Sequence, residues 1–241
     1  MKKYLLTAVM LFASLWIFAQ NDSTRPRSIS TQALPRANDH FMLQLGHTQW
    51  TGAPDSLQFG GLPRSFNMYF LFDFPFKTNP KLSTAIGAGI ATDNVYFDKM
   101  SVDLTSSATN LAFRDVSDTN HFKKYKVATT YVEAPIELRF RSNPANDKKS
   151  FKAALGVKVG LLVGAHTKGK ELQNRANNRI GDYTEKLESK RYFNNNRISF
   201  TGRIGYGNLG LFGSYSATPL FREGVAAQIR PLTIGITLSG L

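Results

Sequence analysis

Phe66, Met68, Phe70, Phe72, Phe74 and Phe76 recur at every second position, with Asn67, Tyr69, Leu71 and Asp73 between them. A strand sends successive side chains to opposite faces, whereas a helix would scatter these rings around its circumference. One face of an extended segment is therefore almost wholly aromatic, and something apolar has to cover it. The same period returns along the chain. Leu82, Thr84, Ile86, Ala88 and Ile90 alternate with Ser83, Ala85, Gly87, Gly89 and Ala91, a face of small residues. Within 127–140, Val132, Ala134, Ile136, Leu138 and Phe140 oppose Tyr131, Glu133, Glu137 and Arg139, with Pro135 interrupting the second face. Within 151–166, an apolar stripe from Phe151 to Ala165 opposes a face that includes Lys152, Gly156, Lys158, Gly160, Gly164 and His166.

Three further segments follow: Ile198 to Tyr206, Leu209 to Ala217, and Leu232 to the C-terminus. With a weaker segment at 41–50, eight strands are expected. The segments 127–140 and 151–166 exceed the usual length of strands in soluble proteins and suit oblique passage through lipid. The intervening linkers alternate in length. Those at 51–64, 97–123, 167–197 and 217–228 are long; those at Asn79-Pro80, 142–149 and Gly207-Asn208 are short. Short periplasmic turns, long external loops and an even strand count are the habit of outer-membrane barrels. Lipid requires every backbone donor and acceptor to be satisfied within the protein, and a closed sheet does this without an edge. The pattern predicts an all-β fold, a closed antiparallel transmembrane β-barrel of eight strands in up-and-down order. The competing reading is a soluble barrel or sandwich with the same stripes turned inward.

Met1-Lys2-Lys3 followed by an apolar run from Tyr4 to Ala19 reads as an export signal over 1–20. Residues 21–40 read as a flexible periplasmic lead-in and 41–241 as the barrel. The chain has no cysteine, which excludes disulfide staples, thiolate metal sites and cysteine nucleophiles.

The formal net charge of +13 suits nucleic acid or anionic headgroups equally. Export and the lack of a recognition module argue for no nucleic acid, leaving outer-membrane lipid and lipopolysaccharide. A lumen of eight strands is just wide enough to be filled by side chains. Glu133, Glu137, Arg139, Lys152, Lys158 and Arg203 are therefore expected to form a luminal charge network. Lys168, Lys170, Arg175, Arg179, Lys186, Lys190 and Arg191 crowd the 167–197 loop, which also holds Arg197. They are expected to contact lipopolysaccharide or a partner protein, with a short helix within 171–190. Trp50, Tyr96, Phe97, Tyr125, Phe140, Tyr192, Phe193 and Tyr215 lie near strand ends and suit the headgroup level.

The histidines at 40, 47, 121 and 166 are dispersed, and neither HExxH nor GxSxG occurs. Glu133 and Glu137 are a carboxylate pair of the kind glycosidases divide into acid and base, but on a crowded inner face. No catalytic residue, cofactor or metal site is expected.

The stretch Tyr131-Val132-Glu133-Ala134-Pro135-Ile136-Glu137-Leu138-Arg139-Phe140 resembles the Tyr-x-Glu-x-Pro-hydrophobic-x-Leu strand of an outer-membrane β-barrel family common in Bacteroidetes. The glycine-bearing strand Ala154–Gly164, Tyr215 with Pro219-Leu220-Phe221, and the ending 231–241 extend the likeness over about residues 40–241. The resemblance implies an eight-stranded porin-like barrel. The family includes the PorT-type component needed for type IX secretion, while Leu241 departs from the C-terminal aromatic frequent among such barrels. Two functions follow as expectations. One is a structural or accessory subunit that binds partner proteins through its loops or lipid-facing wall, within a larger outer-membrane complex. The other is a narrow channel or transporter for small solutes.

Overall fold

The computed structural model describes residues 41–240. The expected export signal, the lead-in and Leu241 lie outside the described residues. The strands are β1 (Phe41–Thr51), β2 (Arg64–Pro75), β3 (Leu82–Phe97), β4 (Met100–Val102), β5 (Phe113–Asp115), β6 (His121–Arg141), β7 (Phe151–Gln173), β8 (Arg179–Glu188), β9 (Asn196–Tyr206), β10 (Leu209–Ser216) and β11 (Arg230–Ser239). Eight of them close on themselves in the antiparallel order β1-β2-β3-β6-β7-β9-β10-β11, with β11 returning to β1. No helix among the described residues is long and apolar enough to cross a membrane.

Side-chain facing follows the sequence period. Phe66, Phe70, Phe72 and Phe74 are exposed on the outer wall, while Ser65, Asn67, Tyr69 and Leu71 are buried inside. The outer wall is a belt of exposed apolar side chains, including Ile86, Val132, Ile136, Leu155, Val159, Phe200, Leu211 and Ile236. A soluble protein would bury such a belt; a membrane-spanning one offers it to hydrocarbon. The sandwich reading fails here, because the apolar stripes do not meet in a dry centre.

Three connections at one end are short. Gly207 opens the two-residue β9–β10 turn with φ +60°, the left-handed first position such hairpins need. The 76–81 turn joins β2 to β3, and a 3-10 turn at Asp147–Lys149 lies between β6 and β7. The long connections all lie at the other end. Pro135 lacks an N–H, and the β3–β6 ladder is interrupted between Ile86↔Ile136 and Gly89↔Glu133.

The long β6–β7 pair continues beyond the ring. A 23-residue strand is roughly 75 Å long, far more than an apolar belt of about 25 Å requires. Its outer part pairs with β8, from His166↔Glu188 to Gln173↔Arg179. The short helix expected within 171–190 is therefore not formed. The protruding part of β7 presents an open edge, and β8 satisfies it by pairing. Likewise the 97–123 linker shrinks to the β4–β5 hairpin and its flanks, because β6 begins at His121.

One irregularity resets the facing of β7. Tyr131 opposes Leu162 and Thr130 opposes Gly164, so Val163 is an extra residue. Below it even-numbered residues face inward; above it Ala165, Thr167 and Gly169 do. The apolar stripe of β7 thus ends at Val163, and Ala165, expected on that stripe, is buried.

Candidate functional site

The interior divides into three levels. At the short-turn end, Glu137 Oε2 accepts hydrogen bonds from Arg139 Nε at 2.9 Å and Arg203 Nη2 at 2.8 Å. Asp73 lies 3.7 Å from Arg139 and 3.5 Å from Arg141, and accepts from Ser83 Oγ at 2.7 Å. Lys152 is buried here and shares a void of about 20 Å³ with Arg139, Arg141 and Arg203.

The middle level centres on Glu133, which is 1% exposed. Its Oε1 accepts from Arg197 Nη2 at 2.6 Å and Nε at 3.0 Å; its Oε2 accepts from Tyr69 Oη at 2.5 Å and lies 3.5 Å from Lys158 Nζ. Arg197 also donates to Asp93 Oδ2 at 2.6 Å and packs its guanidinium 3.8 Å from the centre of the Tyr131 ring. Lys158 lies 5.6 Å from the Tyr69 ring and donates to its hydroxyl at 3.3 Å. Charge-assisted bonds of this kind offset the desolvation of buried ions, and cation–π contact adds to it. A second void of about 20 Å³ touches Asp93, Lys158 and Arg197. Each void has room for about one water molecule.

Of the six residues expected in the lumen, Glu133 and Lys158 meet in the middle level and Glu137, Arg139 and Arg203 below it, with Lys152 beside them. Sequence reading missed Arg197, assigning it to the 167–197 loop. It is the second residue of β9 and bridges two acids donated by β3 and β6. Tyr69, Asp93, Asp73 and Arg141 were missed as well. All carry the inward parity of their strands, so alternation was the available clue.

The third level, at the long-loop end, is apolar. Trp50, Leu57, Phe97, Val102, Leu104, Tyr192, Phe193, Leu220, Phe221 and Ile229 bury together over the mouth. Trp50 meets Phe97 at 5.5 Å, Phe221 at 5.8 Å, Phe59 at 6.1 Å and Phe113 at 6.4 Å, all edge-on. The loops are also tied by polar bonds. Tyr192 Oη donates to Ser106 O at 2.6 Å, Arg191 Nη2 to Ser107 O at 2.9 Å, and Asn194 Nδ2 to Pro219 O and Phe221 O, both at 2.8 Å. The Thr105 hydroxyl and amide hold the Asp103 carboxyl below its usual pKa in the same loop. Trp50, Phe97, Tyr125, Tyr192 and Phe193, expected at headgroup level, are buried in this cap instead. Phe140 and Tyr215 do face outward and are exposed. The cap forms because four loops converge on one narrow mouth and bury apolar area there.

The seven loop cations also separate. Lys168 and Lys170 are exposed on β7 and Lys186 on β8. Arg175 pairs with Asp118 at 3.1 Å, Arg179 pairs with Asp182, and Arg191 braces the 98–112 loop, while Lys190 is exposed beside it.

Known proteins give the family. The model of the outer membrane protein beta-barrel domain matches residues 48–218. Among solved structures, the chain is similar to Ail, the attachment invasion locus protein of Yersinia pestis, in complex with the heparin analogue sucrose octasulfate. Identity is 13%, coverage 83% of this chain and 95% of that one, and the TM-score 0.35. A second Ail structure gives 12% identity, 84% and 97% coverage, and a TM-score of 0.32. No curated protein matches. The closed ring, its exposed apolar belt and the match over 48–218 place the protein in the outer membrane, and the chain belongs to the outer membrane protein β-barrel domain family.

Proposed function

We propose that this protein is a non-enzymatic barrel that serves as a structural or accessory subunit and binds partner proteins through its outer surfaces. One observation carries the reading: the interior is filled. The apolar cap closes the long-loop mouth, and the voids found at the two ion-paired levels beneath it hold about 20 Å³ each. Voids of that size do not hold a substrate or a hydrated ion beside Glu133 or Glu137, which supports a role carried by the outer surfaces.

Two outer surfaces support the reading. One is the braced loop cap. The other is a shallow groove of about 550 Å³ on the lipid-facing wall, where Gly202 and Gly213 lie directly opposite each other, flanked by Leu155, Leu211 and Ile234. Small residues on a lipid-facing surface let another backbone approach closely. The Tyr131–Phe140 motif supports a place in the Bacteroidetes branch, and the filled interior supports a subunit role in a larger outer-membrane complex. Its inward residues Tyr131, Glu133 and Glu137 anchor the luminal network, which gives the motif a structural reason.

Photo-crosslinkers at Ser107 and at Gly213, used in native membranes, test the proposal. Discrete adducts from either position support it. Purified protein in planar bilayers is expected to give no unitary current. Stepwise conductance altered by Glu133→Gln or Lys158→Met would establish the channel reading instead.

A further inference from the structure

Beyond the apolar belt, the outward side of the sheet carries an arrangement that strand pairing alone disfavours. Lys126 of β6 lies directly opposite Lys168 of β7, which lies directly opposite Lys186 of β8. One row farther out, Lys124 lies opposite Lys170. Directly opposed residues share a face with Cβ atoms about 4.5–5.5 Å apart, and like charges there repel. The facing is fixed by the neighbours: Tyr125, Val127, Thr167 and Gly169 are buried toward the cap, so the lysines between them point away from the barrel.

The surroundings neutralise the cluster only in part: Glu188 takes Lys186, and Glu171, next to Lys170, takes Lys123 at 3.0 Å. Lys126 donates to Asn94 Oδ1 at 2.6 Å and lies 5.9 Å from the Tyr96 ring. The next row toward the belt reads Arg64, Asn94, Ala128, His166 and Glu188, and its one carboxylate, Glu188, pairs with Lys186. Asp182, farther along β8, is engaged by Arg179. A groove of about 480 Å³ reaches Lys124, lined by Gly60, Gly61, Arg64, Tyr96 and Asp98 among others.

We infer that this face binds the phosphates of an anionic glycolipid of the outer leaflet, with Lys126, Lys168 and Lys170 as principal contacts. The inference rests on the outer-membrane reading and on the long loops facing outward. Position commits it to a lipid rather than a soluble anion. The lysines continue the same wall that presents Phe66, Ile90, Val132 and Leu161 to hydrocarbon, and they begin a few residues beyond those side chains. A molecule whose chains pack on that belt already holds its headgroup at lysine height. Its phosphates would replace repulsion across the rows with charge-assisted hydrogen bonds, and the Tyr96-lined groove beside them gives the sugars a surface.

The test uses the full chain in detergent, with bisphosphorylated lipid A as probe and dephosphorylated lipid A and inorganic phosphate as comparison ligands. The variants are Lys126→Gln/Lys168→Gln/Lys170→Gln and, at the short-turn end, Lys148→Gln/Lys149→Gln. Binding is read by native mass spectrometry, and folding by the gel shift on heating. Bisphosphorylated lipid A is expected to bind the parent and the turn-end variant alike. The triple variant should bind it about a hundredfold more weakly, roughly fivefold per lysine. Removing phosphates from the lipid should have a similar effect, and inorganic phosphate should not compete at equal concentration. Without lipid and at low salt, the triple variant should unfold at or above the parent's temperature, since it has shed like-charge pairs. Equal lipid A binding by the triple variant, equal binding of the dephosphorylated lipid, or full competition by inorganic phosphate would each overturn the inference. None of these outcomes bears on the closed lumen, which bilayer currents test separately.

Discussion

Arg197 and Glu133 show why single residues inside this barrel carry unequal weight. Arg197 bridges Asp93 and Glu133 with two 2.6 Å contacts, whereas Lys158 reaches Glu133 at 3.5 Å. Removing one partner of a buried pair leaves the other charge uncompensated, at a cost of about 3–5 kcal/mol. Arg197→Met strands two carboxylates and should therefore destabilise the protein more than Lys158→Met, which leaves Glu133 its Arg197 and Tyr69 bonds. Urea unfolding followed by Trp50 fluorescence would rank the two. The order is wrong if Lys158→Met proves the more damaging. The exposed Arg175–Asp118 pair supplies the contrast, since exposed pairs are screened and held loosely. Arg175→Gln should leave the unfolding midpoint where it is.

At the scale of the strand, the two faces make opposite demands. Val157 sits midway along the outward stripe of β7, between Phe151 and Val163. Val157→Arg should cost about 2–4 kcal/mol, the penalty for a cation near the centre of the lipid-facing wall, and should lower the yield of heat-modifiable barrel. On the inner face, a Cβ at Gly89 would come within 2.1 Å of the Met68 carbonyl oxygen and 2.4 Å of the Tyr69 ring. Gly89→Val should force β2 and β3 apart at this point and pull Tyr69 from Glu133, and a retained parental unfolding midpoint would refute that packing. The ring strands were legible because alternation needs only one chain. Phe66 to Phe76 announces an outward face without knowledge of its neighbours. Arg197 was hidden by Asn194-Asn195-Asn196, which reads as loop, although Arg197, Ser199, Thr201 and Arg203 already share a phase. Its pairing with Asp93 and Glu133 depends on the stagger between strands far apart in sequence, which local pattern does not encode. The β8 ribbon reads as helix in the sequence because its charges lie on both faces and its pairing partner is the overlong end of β7.

The molecule as a whole is a wall without an open core. Its two ion-paired levels and apolar cap fill it along its axis, while the outer part of the β6–β7 pair and β8 continue past the ring. Orientation is testable on intact cells. Trypsin should reach Lys123, Arg175 and Lys186 on the long-loop side and leave Lys81 and Lys148 on the short-turn side untouched. The reverse pattern would invert the topology. Salt should weaken association at the lysine rows, since exposed charges are screened within about 8–10 Å at ordinary ionic strength.

The extra residue in β7 has a consequence for how this chain tolerates change in length. Val163 and the adjacent Gly164 both lie on the outer side, where a regular strand would place only one of them. Deleting either would leave every remaining β7 side chain on the face it now occupies, from Lys152 at one end to Lys170 at the other. Deleting a single residue at Lys158 instead would swing one arm of the strand through half a turn, sending Phe and Val into the ion pairs or lysines into the cap. Among the positions of its longest strand, the barrel has one spare place where the genetic reading can lose a codon and the wall remains a wall.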